Sequence, residues 1–311
     1  MRNLQRWQTG AAALIIASLL AACGGGGGGG YSPRAPVDPG TPADTGSIAT
    51  DGLNRLNLRR SQLGVPALTR NALLDSAAQH HSDYQRLNNI VLHDETPGNP
   101  GFTGVTMLER LNYVGYTFSG SYAYGEVISA KATLSGADLA EELITAIYHR
   151  FVIFEPKFKE IGAGAATGAA NYTYFTTNFT ANNGYGPGLG GGQIVAWPVN
   201  GQVGVTRKFL SDFEAPDPVP GLNEVGYPVS VHADINAVLT VTSFTIQPHG
   251  GANLNVQLLK RSVTDQHTPN SAAAIVPLTV LAASTTYDVT FTGTINGNPI
   301  SKMWSFATGL E

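Results

Sequence analysis

Apolar positions recur at helical spacing through the first half of the chain and at strand spacing through the second. From Asp51 the leucines Leu53, Leu56, Leu58 and Leu63 fall on one broad face, and Gly64-Val65-Pro66 closes the segment. A second helix is expected from Asn71 to Asn88, where Leu74, Ala77, Ala78, His81 and Tyr84 form one stripe. A third is expected from Ala137 to Phe154, through Leu139, Leu143, Ile147 and the run Phe151-Val152-Ile153-Phe154. Between them lie Gly/Pro-rich loops, such as Pro97 to Gly104, and short apolar strands. Glu160–Ala166 and Tyr172–Phe179 read as a strand pair joined by a turn. Helices flanking a small sheet predict an α+β layered unit. Six glycines stand among residues 184–192, and beyond them no helical period survives. Strands are expected at Ile194–Val199, Tyr227–Ala233, Val238–Ile246, Leu254–Leu259, Ala274–Leu278, Thr286–Thr292 and Lys302–Thr308. Short strands separated by Asn, Gly and Pro turns predict an antiparallel β-sandwich.

One further apolar run, Ala11 to Leu20, follows Arg2 and Arg6 and ends at Leu20-Ala21-Ala22-Cys23. It is shorter than the roughly 20 residues that span a bilayer, and its layout is that of a secretory signal. Cys23 is the sole cysteine, so it has no disulfide partner in the chain. The site resembles the lipobox of bacterial lipoproteins, which implies cleavage before Cys23, a diacylglycerol thioether on its sulfur and an acylated (palmitate-type) amine. Several acyl chains make a stable bilayer anchor. Gly24 after the cysteine points to the outer membrane where a cell has two membranes. Gly24 to Gly30 is unbroken glycine, and Pro33, Pro36, Pro39 and Pro42 follow. This is a tether with a reach of roughly 25–30 Å. The expected organisation is thus signal peptide 1–22, acylated cysteine and tether 23–48, first domain 49–183, Gly-rich linker 184–192 and β-sandwich 193–311. Without residues 1–22 the chain has 16 basic and 22 acidic residues, a net charge of −6. That argues against a nucleic-acid partner or a polybasic membrane-surface role. A hydrophobic content of 42% with 13% charged residues describes a cored globular protein.

The residues able to carry chemistry are His93, Glu126 and His149, with Glu95 close behind His93. Two imidazoles and a carboxylate make a donor set that zinc accepts, and Glu95 could share the site or hold an imidazole by its second nitrogen. Spacing alone favours hydrogen-bonded structural roles for them. His80 and His81 read as one packed and one solvated histidine, and His232, His249 and His267 as surface residues. Gly162 to Gly168 lacks the lysine and helix of a phosphate loop and reads as strand and turn. The chain has no G-x-S-x-G and no H-E-x-x-H.

The stretch from Leu53 to Phe179 resembles the CAP superfamily, whose namesakes are cysteine-rich secretory proteins, antigen 5 and pathogenesis-related-one proteins. The matching pieces come in order: Leu53-Asn54-Arg55 to Arg59 and Gly64-Val65-Pro66-Ala67-Leu68, then Ala77-Ala78 with a histidine and Tyr84, then Leu92-His93. Arg110, Gly115-Tyr116, Gly125-Glu126 and His149-Arg150 follow, and Pro156, Phe158, Ile161 to Gly164 and Tyr174 to Phe179 close the match. The resemblance implies an α-β-α sandwich with a ligand cavity carrying two His and two Glu. His93, Glu126 and His149 supply three. Val127 stands where the family's Asn follows the glutamate, and no acid stands near Ala146, where the second glutamate is expected. Glu142 is a poor substitute. Residues 200–306, with Asn200-Gly201, Pro277-Leu278, Thr285-Thr286-Tyr287 and Trp304-Ser305-Phe306, are similar to bacterial Ig-like domains, which implies spacing and display.

Together these readings give an envelope lipoprotein in the outer membrane, periplasmic or surface-exposed. Its CAP-type domain is expected to be a non-enzymatic module for a lipid-like, glycan or peptide ligand, with Zn2+ at His93, His149 and Glu126 as an option. The alternative is a metal-assisted hydrolase with Glu126 or Glu95 as base.

Overall fold

The computed structural model describes residues 40–310. Cys23, the signal segment and most of the tether lie outside the described residues.

The first unit is built from α1 (Ile48–Leu63), β1 (Thr69–Arg70), α2 (Ala72–Asn88), α3 (Met107–Tyr113), β2 (Ala123–Ala132), α4 (Gly136–Thr145), α5 (Ile147–Ile153), β3 (Glu160–Thr167) and β4 (Tyr172–Ala181). Its sheet runs β1-β3-β4-β2, antiparallel except for the short β1–β3 pair. Helix α2 covers one face, while α1, α4 and α5 pack on the other. The expected α-β-α sandwich is therefore present. Gly162 and Gly164 have a packing role. A Cβ at Gly162 would lie 2.3 Å from the Asp75 nitrogen, and one at Gly164 2.2 Å from that of Gln79. Only glycine lets α2 lie this close to β3. Asp75 and Gln79 then use the proximity, accepting from the Ala163 and Ala165 amides at 2.9 and 3.1 Å. Those amides sit beyond the end of β1, so α2 seals an edge that would otherwise be open.

Two elements depart from the sequence reading. The expected third helix, Ala137 to Phe154, is two helices broken at Ala146, whose ψ is 117°. The break frees carbonyls at the end of α4, and Arg150 satisfies them, with Nε to Ile144 O at 2.6 Å and Nη2 to Thr145 O at 3.5 Å. Helix α3 was not expected at all. Its signal was legible: Thr106 and Glu109 form a capping box just ahead of Leu111.

The second unit comprises β5 (Ile194–Trp197), β6 (Lys208–Leu210), β7 (Glu224–Gly226), β8 (Val229–Ala233), β9 (Leu239–Pro248), β10 (Val256–Lys260), β11 (Ala272–Pro277), β12 (Thr286–Ile295) and β13 (Asn298–Ala307). A sheet ordered β10-β11-β8-β5 faces a sheet ordered β13-β12-β9, and β6–β7 is a separate hairpin. This mostly β, antiparallel arrangement is consistent with the Ig-like expectation. Val289, Phe291, Trp304 and Phe306 all point into the shared core, as their period of two required.

The two units do not hang apart on the glycine linker. The sandwich and the α1/α4 side of the first unit share one hydrophobic core. The outer face of the β10-β11-β8-β5 sheet is buried too. Ala272, Ala274 and Val276 pack with Ile147, Tyr148 and Phe151 of α5. In β8, Val229, Val231 and Ala233 face the sandwich, while Ser230 and His232 face α5. Its place near the end of the expected strand Tyr227–Ala233 made His232 read as a surface residue. It is instead 3% exposed, edge-on to Phe151 and Phe154, with Nε2 2.9 Å from Ser230 Oγ. The expectation fails because this strand end meets α5 of the first unit and not water. His249 is exposed, as expected, and His267 is half-buried.

Burial, reinforced by the charges of Arg150 and Arg60, lowers the His232 pKa from 6.5 to about 3. In the unfolded chain it binds a proton near 6.5, so the unfolded state takes up more protons throughout the interval between the two values. Stability therefore falls as pH drops through that interval, by about 2 kcal/mol between pH 6.5 and pH 5 from this residue alone. His232→Gln should flatten that slope in urea melts recorded across the same pH range, while an unchanged slope would contradict the burial.

Candidate functional site

The polar residues of the first unit converge where α2, the 89–106 loop, α3 and β2 meet. His81 is fully buried on α2. Its Nδ1 lies 2.8 Å from Glu95 Oε1 and its Nε2 2.9 Å from the Leu92 carbonyl. Both partners are acceptors, so the ring turns no lone pair outward. Glu95 is 2% exposed and also accepts from the Thr103 amide at 2.7 Å. It therefore holds an imidazole, as one reading of the sequence had it, but that imidazole belongs to His81, not His93. His80, one residue earlier, stands edge-on to Tyr113 and is half-buried.

Glu126, on β2, is the hub. Arg110 from α3 donates through Nη2 to both its oxygens, at 2.9 and 2.7 Å. His93 Nδ1 donates to Oε1 at 2.9 Å. Asn178 stands opposite Glu126 across β2 and β4. With its amide turned to donate, it reaches Oε2 at 3.1 Å and accepts from the Ala78 amide at 3.3 Å. Arg110 also ties down the loop through Nη1 to the His93 carbonyl at 2.8 Å. Burial by itself would raise the Glu126 carboxyl. The charge of Arg110 opposes it, His81 and His93 add to that, and the net result is a carboxyl held far below its ordinary range.

His149 goes elsewhere. On α5, its Nδ1 bonds Glu214 Oε1 at 2.9 Å. Glu214 follows a short turn in the second unit (Ser211–Phe213), and the same oxygen accepts from the Tyr148 and His149 amides at 2.7 and 3.0 Å. It caps a helix whose own Ala146 supplies no side-chain cap. The sequence reading missed Glu214, since nothing local marks an acid that caps a helix 65 residues earlier. Glu142 points to β2, where Ser129 donates to it at 2.7 Å, and burial raises its carboxyl. Val127 is a buried core residue.

The structure therefore joins His93 to Glu126, places Glu95 one residue away through His81, and bonds His149 to Glu214. Zinc needs lone pairs that are not already taken. Both oxygens of Glu126 accept from a guanidinium, and each histidine gives its Nδ1 to a carboxylate, so only the two Nε2 atoms remain as donors. Among the described residues no three His, Cys, Asp or Glu side chains are grouped to hold a metal ion. The donor set of His93, Glu126 and His149 does not fit a zinc centre.

Residues 53–179 match the profile of the CAP family, described as the cysteine-rich secretory protein family. The layered fold and the profile together define the class: this segment of the chain is a CAP domain. Similar solved structures include an extracellular SCP-domain protein from Bacillus anthracis str. Ames, at 23% identity and TM-score 0.36, covering 42% of this chain and 39% of that one. The match thus spans well under half of the Bacillus protein. An outer surface protein from Borrelia burgdorferi matches at 15% identity and TM-score 0.35, covering 42% of this chain and 89% of that one. Venom allergen-like protein 4 from Schistosoma mansoni matches at 15% and 0.29, covering 45% and 90%. No curated protein matches the chain.

Removing one partner of a buried pair leaves the other charge uncompensated. Arg110→Met is expected to cost about 3–5 kcal/mol in urea unfolding. Because the Glu126 carboxyl is depressed in the folded protein, its contribution is present above the unfolded value of 4.5 and lost as pH falls below it. Glu126→Gln should therefore weaken the fold at pH 7 and reduce the loss of stability between pH 5 and pH 3. An acid limb identical to the parent protein's would show that the pair does not carry it.

Proposed function

We propose that this protein is an envelope lipoprotein, held in the outer membrane by acylated Cys23, whose CAP domain binds a lipid-like, glycan or peptide ligand without turning it over. The observation that carries the reading is the saturation of Glu126. A general base needs a lone pair facing its substrate, and this carboxylate spends its lone pairs on Arg110, His93 and Asn178. Glu95, the other candidate base, is buried against His81 and Thr103. What remains accessible is His93, half-buried, with its ring fixed by Glu126 and its Nε2 side directed away from that bond. A fixed imidazole edge is a recognition element. The second unit serves display, and the acidic excess argues against a nucleic-acid partner. Among the described residues no helix is long and apolar enough to cross a membrane; the anchoring reading rests on the sequence around Cys23.

The test pairs binding with turnover. Soluble protein from residue 31 onward is incubated with lipid vesicles, envelope glycans and envelope peptides. Retention without product is expected, weakened by His93→Ala at a temperature where circular dichroism shows that variant still folded. Product formation abolished by Glu126→Gln would establish the hydrolase instead, and tight zinc binding lost in His149→Ala would restore the metal. In cells, Cys23→Ser should move the protein from the membrane to the soluble fraction. A protein that stays in the membrane would refute the lipid anchor.

A further inference from the structure

The hairpin of β6 and β7, with its connection 211–223, has two unlike sides. The inner side is packed: Phe209, Val219 and Val225 join Ile147, Tyr148 and Phe151 of α5 in one cluster. The outer side is apolar and bare. Leu210, Phe213, Pro220 and Leu222 are all exposed, and Phe213, at 79%, is the most exposed aromatic ring among the described residues. Apolar side chains scattered singly over a surface are ordinary, but several on one projecting connection call for a partner.

The connection is held in shape. Ser211 donates its hydroxyl to the Leu222 carbonyl at 2.6 Å and its amide to the Asn223 carbonyl at 2.8 Å. The Asp212 amide donates to Asn223 Oδ1 at 3.3 Å, and the Leu222 amide to the Val219 carbonyl at 3.1 Å. These bonds tie the arm carrying Leu210 and Phe213 to the arm carrying Leu222, so little ordering is left to be done on contact. The charges around it are acidic or paired. Asp212 is exposed, and Lys208 is bound to Glu224. A surface drawn to anionic headgroups would carry the opposite sign.

The chain that precedes the described residues indicates what covers this surface. The description begins at Gly40, beside Leu58 of α1. Sixteen residues, 24–39, lie between Cys23 and Gly40. Fully extended they span at most about 55 Å. A compact body of this length is roughly 50 Å across. No face of it is therefore out of reach of a bilayer that holds Cys23, and a surface kept so close needs only a weak contact to stay engaged.

We propose that the outer side of the β6–β7 hairpin is a second membrane contact, through which Leu210, Phe213 and Leu222 enter the interfacial zone of a zwitterionic bilayer. The choice of a bilayer rests on the acylated Cys23 proposed above. Aliphatic and aromatic side chains gain at the boundary of headgroups and acyl chains, while Asp212 and Glu224 disfavour an anionic surface. The contact goes beyond display, since it turns one face of the second unit toward the membrane.

The test uses the chain from residue 24 onward with an N-terminal hexahistidine tag, held on phosphatidylcholine vesicles by a nickel-chelating lipid. Anchoring then does not depend on acylation, so failure here is distinct from failure of the Cys23 reading, which the fractionation of Cys23→Ser decides. Phe213→Trp supplies a reporter, because Trp197 and Trp304 are buried. Met303→Trp is the control, exposed on the sheet that does not face α5. Lipid brominated on its acyl chains is expected to quench the Phe213→Trp emission and not that of Met303→Trp. Adding Leu222→Ser to Phe213→Trp should lower the ratio of inserted to free hairpin about tenfold, as should adding Leu210→Ser. Replacing half of the lipid by phosphatidylglycerol should weaken the quenching. Equal quenching of the two reporters, quenching unchanged by both serine substitutions, or stronger quenching on phosphatidylglycerol would each overturn the proposal. So would shielding of Phe213→Trp that grows with protein concentration in the absence of vesicles, which would assign the surface to a second copy of the chain.

Discussion

A seven-residue helix is not stable alone in water, and the molecule is arranged around one. Helix α5 has no cap of its own, and six of its seven side chains are buried. Ile153 joins the core shared with α1 and α4, while Ile147, Tyr148 and Phe151 join the cluster under β11. Its cap, Glu214, comes from the second unit. Its cation, Arg150, closes the end of α4, reaches the Pro228 carbonyl and lies 4.9 Å from the Tyr227 ring centre. A buried guanidinium is tolerated only when its donors are taken. Here they are taken by both units, so the helix and the interface exist together or not at all.

That constraint explains why a nominal linker separates nothing. The glycines at 184–192 give the chain room to turn back, and Gly186 and Gly188 sit tight against the Pro156–Phe158 carbonyls and Asp234. The sandwich then presents its outer sheet to α5. A sheet covered on both faces loses the alternation that marks a half-exposed strand. β11, an Ala-Ala-Ala-Ile-Val run, is buried throughout. Ser230 and His232 occupy what would be the solvent face of a free-standing sandwich. The CAP domain replaces water there, with an arginine and two phenylalanine edges as partners.

Much of this was legible before any coordinates. The period of three to four through Leu53–Leu63 and Leu74–Tyr84 pointed to α1 and α2, and the period of two at Val289/Phe291 and Trp304/Phe306 pointed to β12 and β13, the first of which runs three residues past its expected end at Thr292. The order of short pieces from Leu53 to Phe179 gave the family. What was not legible shares one cause. The break at Ala146, the burial of His232 and the role of Glu214 all depend on contacts between residues far apart in sequence, and local pattern carries no trace of them. Helix α3 is the exception, since Thr106 and Glu109 announced it.

The same distinction separates the candidate residues. His93, Glu126 and His149 share a chemistry that suggests one metal, yet a set of donors is defined by what each atom already bonds. Arg110 turns Glu126 from a ligand into half of an ion pair. Glu214 turns His149 toward the second unit. Neither partner could be weighed from residue type and spacing, because an arginine 16 positions before Glu126 and a glutamate 65 positions after His149 look like ordinary surface charges. Arg110 and Glu214 thus take up, for structure, atoms that a shared metal would have needed.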